Sequence, residues 1–220
     1  MIMDYDFTDG RKLKVGTMYC VGQNYSKHAK EMGSEMPNDP IIFIKPPNAY
    51  VSNGGKVILP SISNLPHHEV ELVVVIGKDC NNVRTNDAVK YIAGYAVGLD
   101  ITLRDIQNKA KKDGHPWAVA KGFRTSAPIS KIVSATQFGE EIPFFALELK
   151  VNNEMRQAAN TKEMERSVAV LISYLSGIFG LREGDCIFTG TPEGVGEIKH
   201  GDKLHAELKG FISLDVIVDK

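Results

Sequence analysis

The stretch His67-His68-Glu69-Val70-Glu71-Leu72-Val73-Val74-Val75-Ile76-Gly77 constrains this chain more than any other. Its second half is a short continuous apolar run, rich in β-branched residues and closed by glycine, which is the pattern of a buried strand. Residues two apart on a strand share a face, so Glu69 and Glu71 project side by side, roughly 7 Å apart or less from the rise per residue. Two carboxylates at the head of a hydrophobic strand repel one another, and each loses solvation. A hard cation such as Mg²⁺, which prefers carboxylate and water oxygens, would offset both effects. The alternative is a strand that begins at Val70 and leaves both glutamates solvated on an edge, as charged residues that flank strands often are.

A third carboxylate changes the balance. Asp100 ends the strand-like run 92–100, where the chain turns towards a helical pattern over 102–112. Strand ends are where side chains from several strands converge into sites. Three carboxylates without a paired histidine describe an oxygen-ligand centre for Mg²⁺ or Mn²⁺ rather than zinc. Asp105 reads instead as a first-turn acid favourable to the helix dipole. His67 and His68, adjacent on a strand, face opposite ways and cannot both join Glu69 on one ion.

Three further segments carry chemistry. In Gly22-Gln23-Asn24-Tyr25-Ser26-Lys27-His28-Ala29-Lys30-Glu31, a helix would bring His28 and Glu31 together three residues apart. That pair is either an ordinary surface contact or a general base whose tautomer the carboxylate holds, on a segment polar enough to be a lid. Lys121 stands alone in the apolar Trp117-Ala118-Val119-Ala120-Lys121-Gly122-Phe123. It either snorkels to the surface or stabilises an enolate or a carboxylate. The turn Thr189-Gly190-Thr191-Pro192-Glu193-Gly194-Val195-Gly196 offers backbone N–H groups and hydroxyls suited to a carboxylate or phosphate. It lacks the Gly-Lys-Ser/Thr ending of a nucleotide-binding loop.

The remaining chain reads as one domain over 1–220, without linker or repeat. Strand patterns fall at 15–21, 41–45, 57–59, 69–76, 92–100, 144–151, 185–189, 203–208 and 212–218. Helical patterns fall at 24–32, 85–91, 102–112 and 161–179, with Thr85 and Thr161 as candidate caps and Gly114 as a stop. Strands outnumber helices without βαβ alternation, which predicts a β-rich α+β fold. A net charge of -1 gives no electrostatic case for nucleic acid or an anionic membrane. The apolar runs are too short to span a bilayer, and no targeting segment is evident, so the cytoplasm is the expected location. Cys20, Cys80 and Cys186 show no paired spacing and are expected as buried free thiols in a reducing compartment.

Taken together, the chain resembles the fumarylacetoacetate hydrolase family, in particular its short acylpyruvase and oxaloacetate decarboxylase branch. The resemblance runs in order through 22–31, Phe43-Ile44-Lys45-Pro46, His68-Glu69-Val70-Glu71-Leu72, Gly94-Tyr95, 100–107, Gly114-His115-Pro116-Trp117 to Lys121, Val151-Asn152, Arg156-Gln157 and 184–196. It implies a mixed β-sandwich roll, usually homodimeric, with Mg²⁺ or Mn²⁺ on Glu69, Glu71 and Asp100. It also implies a His28–Glu31 dyad that activates water on a closing lid, and Lys121 as electrostatic partner of a bound 2-oxo acid. Arg104 and Gln107 would build the pocket, and Thr191 would contact the substrate carboxylate. Gln23 and Arg124 depart from common family patterns, which puts substrate selection in question.

The expected reaction is hydrolysis of the C3–C4 bond of an acylpyruvate, of acetylpyruvate or fumarylpyruvate type, with oxaloacetate decarboxylation at the same site. Oxaloacetate keto–enol tautomerisation and hydroxyheptadienedioate isomerisation or decarboxylation use the same enolate and stay open. A non-catalytic carboxylate-binding module is the alternative of another class.

Overall fold

Strand Val70–Ile76 is buried along its whole length, and its two faces feed two different cores. Val70, Leu72, Val74 and Ile76 enter the larger core, while Val73 and Val75 enter a smaller one. The two-residue period of a strand dictates this split, and it puts Glu71 on the face of Val73 and Val75. The strand lies between Cys186–Phe188 and Ile92–Leu99, antiparallel to both.

In the computed structural model, which describes residues 3–31, 33 and 37–220, these strands are central in a mixed eight-stranded sheet. Its order is Ile41–Lys45, Met18–Gly22, Cys186–Phe188, Val70–Ile76, Ile92–Leu99, Ala127–Ile129 and Tyr50–Ser52, with Val133–Ser134 also pairing Ile92–Leu99. A second, five-stranded sheet runs Glu154–Asn160, Ala146–Val151, Lys203–Leu208, Ile212–Asp219 and Lys56–Ile58. Leu147, Leu149, Leu204, Ala206, Leu214 and Val216 from this sheet meet Leu72, Val74 and Val97 of the first in the larger core. Two sheets sharing one apolar layer make the sandwich of a β-rich α+β fold. The short strands Thr102–Leu103, Pro66–His68 and Gly196–Glu197 form a third sheet beside the head of Val70–Ile76.

The helices are α1 (Ser26–Glu31), α2 (Arg104–Asp113), α3 (Ala118–Lys121) and α4 (Val168–Phe179). The 24–32 pattern is a helix over 26–31, and Met32 lies outside the described residues. Helix α2 starts two residues later than the pattern at 102–112 indicated, because Thr102 and Leu103 pair with His67 and Pro66. It ends at Gly114, whose left-handed φ of 68° suits a glycine stop.

Two expectations need correcting. Thr85 does not cap its segment: Thr85–Tyr91 is a 3₁₀ helix preceded by Arg84, with no side-chain cap. The 161–179 pattern is not one helix either. A 3₁₀ turn, Thr161–Glu163, is capped by Asn160, and α4 begins afresh behind Ser167, whose hydroxyl accepts from Val170 N. The buried Asn24 explains the break. Its carbonyl oxygen accepts from Glu165 N at 3.0 Å and its Oδ1 from Arg166 N at 2.8 Å, taking backbone donors that a continuous helix would use itself.

Cys20, Cys80 and Cys186 are buried and unpaired. Among the described residues no helix is long and apolar enough to cross a membrane.

Candidate active site

The register of two strands builds the carboxylate cluster. Val70 pairs with Leu99 and Glu71 with Gly98, and the ladder continues one step further through Asp100 N donating to Glu69 O at 2.8 Å. Glu69, Glu71 and Asp100 therefore fall on one face, with Glu69 opposite Asp100 and Glu71 diagonal to it. One carboxylate oxygen from each lies within 4.8 Å of the others. All three are buried, at 4%, 2% and 0% exposure, which removes the alternative of solvated edge glutamates.

Burying three carboxylates demands compensation. Lys121, itself buried, donates to Glu69 Oε2 at 2.7 Å, Asp100 Oδ2 at 2.6 Å and Thr102 Oγ1 at 2.6 Å, which occupies all three ammonium protons. Burial opposes its charge, but Asp100 and Glu69 outweigh burial and raise its pKa above the usual lysine range. Arg104 donates to Glu69, and also to Gln107 Oε1 at 2.5 Å. Burial disfavours the Glu69 carboxylate, yet Lys121 and Arg104 beside it hold its pKa well below the usual range.

Sequence reasoning assigned no role to Lys45, although it lies in a stretch that carried the resemblance. It is fully buried, with Nζ 2.9 Å from Asp100 Oδ1 and hydrogen bonds to Ser126 Oγ at 2.9 Å and Ser126 O at 3.0 Å. The contact to Asp100 Oδ1 is an ion pair without hydrogen-bond alignment, so that buried oxygen keeps unclaimed lone pairs. A lysine at the end of an apolar strand ordinarily reaches solvent, so no local signal marked this one.

Among the described residues, Glu71 has no cation of its own. Gly190 N donates to its Oε2 at 2.7 Å. Burial, then the charges of Asp100 and Glu69, push its pKa well above the usual range. A buried oxygen cluster with one uncompensated carboxyl and one oxygen lacking a hydrogen-bond partner suits a hard divalent cation. Gly190 must be glycine here: its φ is +100°, and a Cβ would come within 2.8 Å of Asn24 Cβ.

The turn 189–196 is a carboxylate-binding turn, but the carboxylates it holds are the protein's own. Besides the Gly190 contact, Gly194 N lies 3.2 Å from both oxygens of Glu31. Glu31 Oε2 in turn lies 3.2 Å from Nδ1 of the buried His28. The hydroxyl of Thr191 donates to Val70 O at 2.9 Å and accepts from Gln157 Nε2 at 2.9 Å, so its proton is already committed.

Gln157 lies in a stretch that carries the resemblance, which implies no role for it. Its Oε1 accepts from Val70 N at 3.0 Å and lies 3.1 Å from His68 Nδ1, while Nε2 also reaches Pro192 O at 2.9 Å. This one buried amide ties the strand between the two glutamates to the turn. Nothing local in the sequence foretells it, since its partners come from distant segments.

His28, Glu69, Glu71, Asp100, Arg104, Gln107, Lys121 and Thr191 all line one cleft, together with Gln23, Phe43, Lys111 and Trp117. Glu31 stands behind His28. Of the histidines left aside, His67 accepts from Arg104 Nε at 3.4 Å, and burial followed by Arg104 pushes its pKa down to about 4. Arg124 lines a separate groove of about 950 Å³ that contains none of these carboxylates.

The chain is similar to known proteins over nearly its whole length. Residues 17–218 match the family described as fumarylacetoacetate (FAA) hydrolase, C-terminal. The Bos taurus protein named oxaloacetate tautomerase FAHD1, mitochondrial, is 45% identical over 204 residues, covering 91% of this chain and 90% of its own. Its Arabidopsis thaliana namesake is 46% identical over 211 residues, covering 96% and 94%. Among solved structures, fumarylpyruvate hydrolase from Pseudomonas aeruginosa, in complex with Mn²⁺ and pyruvate, superposes with a TM-score of 0.94 at 38% identity, covering 99% of this chain and 96% of that one. The 2-hydroxyhepta-2,4-diene-1,7-dioate isomerase from Mycobacterium marinum gives 0.81 at 34% identity, covering 96% and 78%. This chain belongs to the fumarylacetoacetate hydrolase family of enzymes.

Proposed function

We propose that this enzyme hydrolyses the C3–C4 bond of acylpyruvates in a Mg²⁺- or Mn²⁺-dependent reaction and decarboxylates oxaloacetate at the same site. The observation that carries the reading is the His28–Glu31 pair lining the same cleft as the buried Glu69, Glu71 and Asp100. A divalent cation on those three carboxylates would bind the 1-carboxylate and 2-oxo oxygens and spread enolate charge. The chain's own residues do the rest. Glu31 orients His28 through Nδ1, which leaves Nε2 as the ring nitrogen that takes a proton from water attacking the C4 carbonyl. The bond between C3 and C4 then breaks, giving a carboxylic acid and pyruvate enolate. Lys121 holds Glu69 and Asp100 in place and keeps positive charge beside the developing enolate. The cleft encloses about 30 Å³, room for roughly one water, so admitting a substrate requires its lining to move, and the short polar helix α1, which carries His28, is the segment suited to do so.

A second reading, oxaloacetate keto–enol tautomerase, is favoured by the names of the relatives at 45% and 46% identity. It requires the enolate but no water. Assaying acetylpyruvate, fumarylpyruvate and oxaloacetate side by side, with and without EDTA, separates the two. Under the hydrolase reading His28→Ala lowers acylpyruvate cleavage by about 100-fold or more and spares oxaloacetate decarboxylation. If acylpyruvates are untouched by the wild type while oxaloacetate enol interconverts rapidly, the tautomerase reading replaces it.

A further inference from the structure

Helix α2 carries Arg104, Gln107 and Lys111 at three- and four-residue spacing, so the three side chains share one face, and all three line the cleft. Arg104 is committed to Glu69 and Gln107. Lys121 is committed to Glu69, Asp100 and Thr102, and Lys45 to Asp100 and Ser126. Each cation at the floor of the cleft thus already has a carboxylate.

Lys111 does not. Its ammonium lies 5.2 Å from the centroid of the Trp117 ring, and no acidic side chain pairs with it among the described residues. Partial burial, then the like charges of Arg104 and Lys121, lower its pKa, with only Glu69 acting the other way. Lys109, on the same helix, shows the ordinary arrangement, paired with Asp113 at 2.6 Å on the surface. Lys111 is exposed whereas Lys121 and the three carboxylates are buried, so Lys111 stands at the mouth of the cleft and they form its floor.

A 2-oxo acid whose keto end meets the buried carboxylate cluster extends its other end towards that mouth. We infer that Lys111 is a specificity-determining residue that binds an anionic group at the substrate's far end. The site thereby selects 2-oxo dicarboxylic acids over 2-oxo acids with uncharged tails. Trp117 holds the ammonium by its ring face and shields one side of it from water, which strengthens its attraction for a carboxylate. This role rests on the 2-oxo acid reading of the floor proposed above.

The test uses two ligands of equal chain length that differ in the terminal carboxylate, 2-oxoglutarate and 2-oxopentanoate. Neither has a carbonyl carbon at C4, so neither is a substrate for the cleavage. Calorimetric titration of the Mg²⁺-loaded protein should show 2-oxoglutarate bound about tenfold more tightly, as expected for one charge-assisted hydrogen bond. Lys111→Met should erase that preference and Lys111→Glu should invert it, both leaving 2-oxopentanoate within about twofold of wild type. Because Lys111 is exposed on a helix, both variants retain the fold. A preference that survives in Lys111→Met, or an equal loss for both ligands, overturns the assignment. Kinetics on oxaloacetate and acetylpyruvate separate this outcome from failure of the hydrolase reading. If the binding shifts occur while the wild type cleaves no acylpyruvate, Lys111 keeps its role and the hydrolase reading falls. If acylpyruvates are cleaved and Lys111→Met still prefers 2-oxoglutarate, the hydrolase reading stands and the Lys111 assignment falls.

Discussion

Glu71 differs from Glu69 and Asp100 in what surrounds it: they have ammonium or guanidinium partners, whereas it has one backbone N–H. Burial, Asp100 and Glu69 push its pKa well above the usual carboxylate range, so without a divalent cation its charged form is disfavoured, and a protonated glutamic acid is nearly the shape of glutamine. Glu71→Gln should therefore leave the stability of the metal-free protein within about 0.5 kcal/mol of wild type. On the divalent-cation reading proposed above, the same change removes a charged oxygen donor, so the rise in Tm expected with Mg²⁺ or Mn²⁺ by mass action should vanish. Thermal unfolding with titrated metal reads both halves, and a variant that still gains stability from Mg²⁺ would place the ion elsewhere. At this scale the sequence was informative wherever one strand's period decides the outcome. Glu69 and Glu71 share a face because they are two apart, and that needs no tertiary information. Lys45 and Gln157 were invisible as site residues for the opposite reason. Their partners, Asp100 and Ser126 for one, Val70 and Thr191 for the other, are brought to them only by the register of distant segments.

At the scale of elements, periodicity located most strands of the two large sheets, including the three-residue Lys56–Ile58 and Cys186–Phe188, but not all of them. The patterns at 41–45 and 203–208 coincide with strands Ile41–Lys45 and Lys203–Leu208. Strand Glu154–Asn160 gave no signal, because its exposed residues mix polar Glu154 and Arg156 with apolar Met155 and Ala158, and only Gln157 is fully buried. The two- and three-residue strands around Thr102, Pro66 and Gly196 exist through their partners and not through their own composition. The apolar stripe of 161–179 is real in α4, yet the chain breaks before it because Asn24 claims two of its donors. Ser167 is consequently the cap that α4 depends on, and Ser167→Ala should cost about 1 kcal/mol, measured as a lower urea midpoint. Ala substitution of the capping candidate read from the sequence, Thr161, acts differently: its hydroxyl accepts from Phe145 N at 2.8 Å and belongs to the sheet edge. No loss of stability in Ser167→Ala would show that α4 is held by packing alone.

Over the whole molecule, the eight-stranded sheet separates structural support from chemistry. The face carrying Leu72 and Val74 joins the second sheet in the larger core, while the face carrying Glu71, Val73 and Val75 carries the carboxylates at one end. Leu149 is completely buried in that larger core, on the second sheet. Leu149→Ala should therefore lower stability by about 2–5 kcal/mol, seen in chemical denaturation, while the KM for any substrate stays unchanged. A matching rise in KM would mean that the two faces are not independent. An amine beside a ketone substrate can condense with it when it has a free electron pair. The nitrogen of Lys121 has none to offer, because three acceptors engage its three protons and its neighbours keep it cationic. On the 2-oxo acid reading proposed above, the site would thus place a primary amine next to its substrate without forming an imine, and Lys121 would escape capture by the compounds it helps to transform.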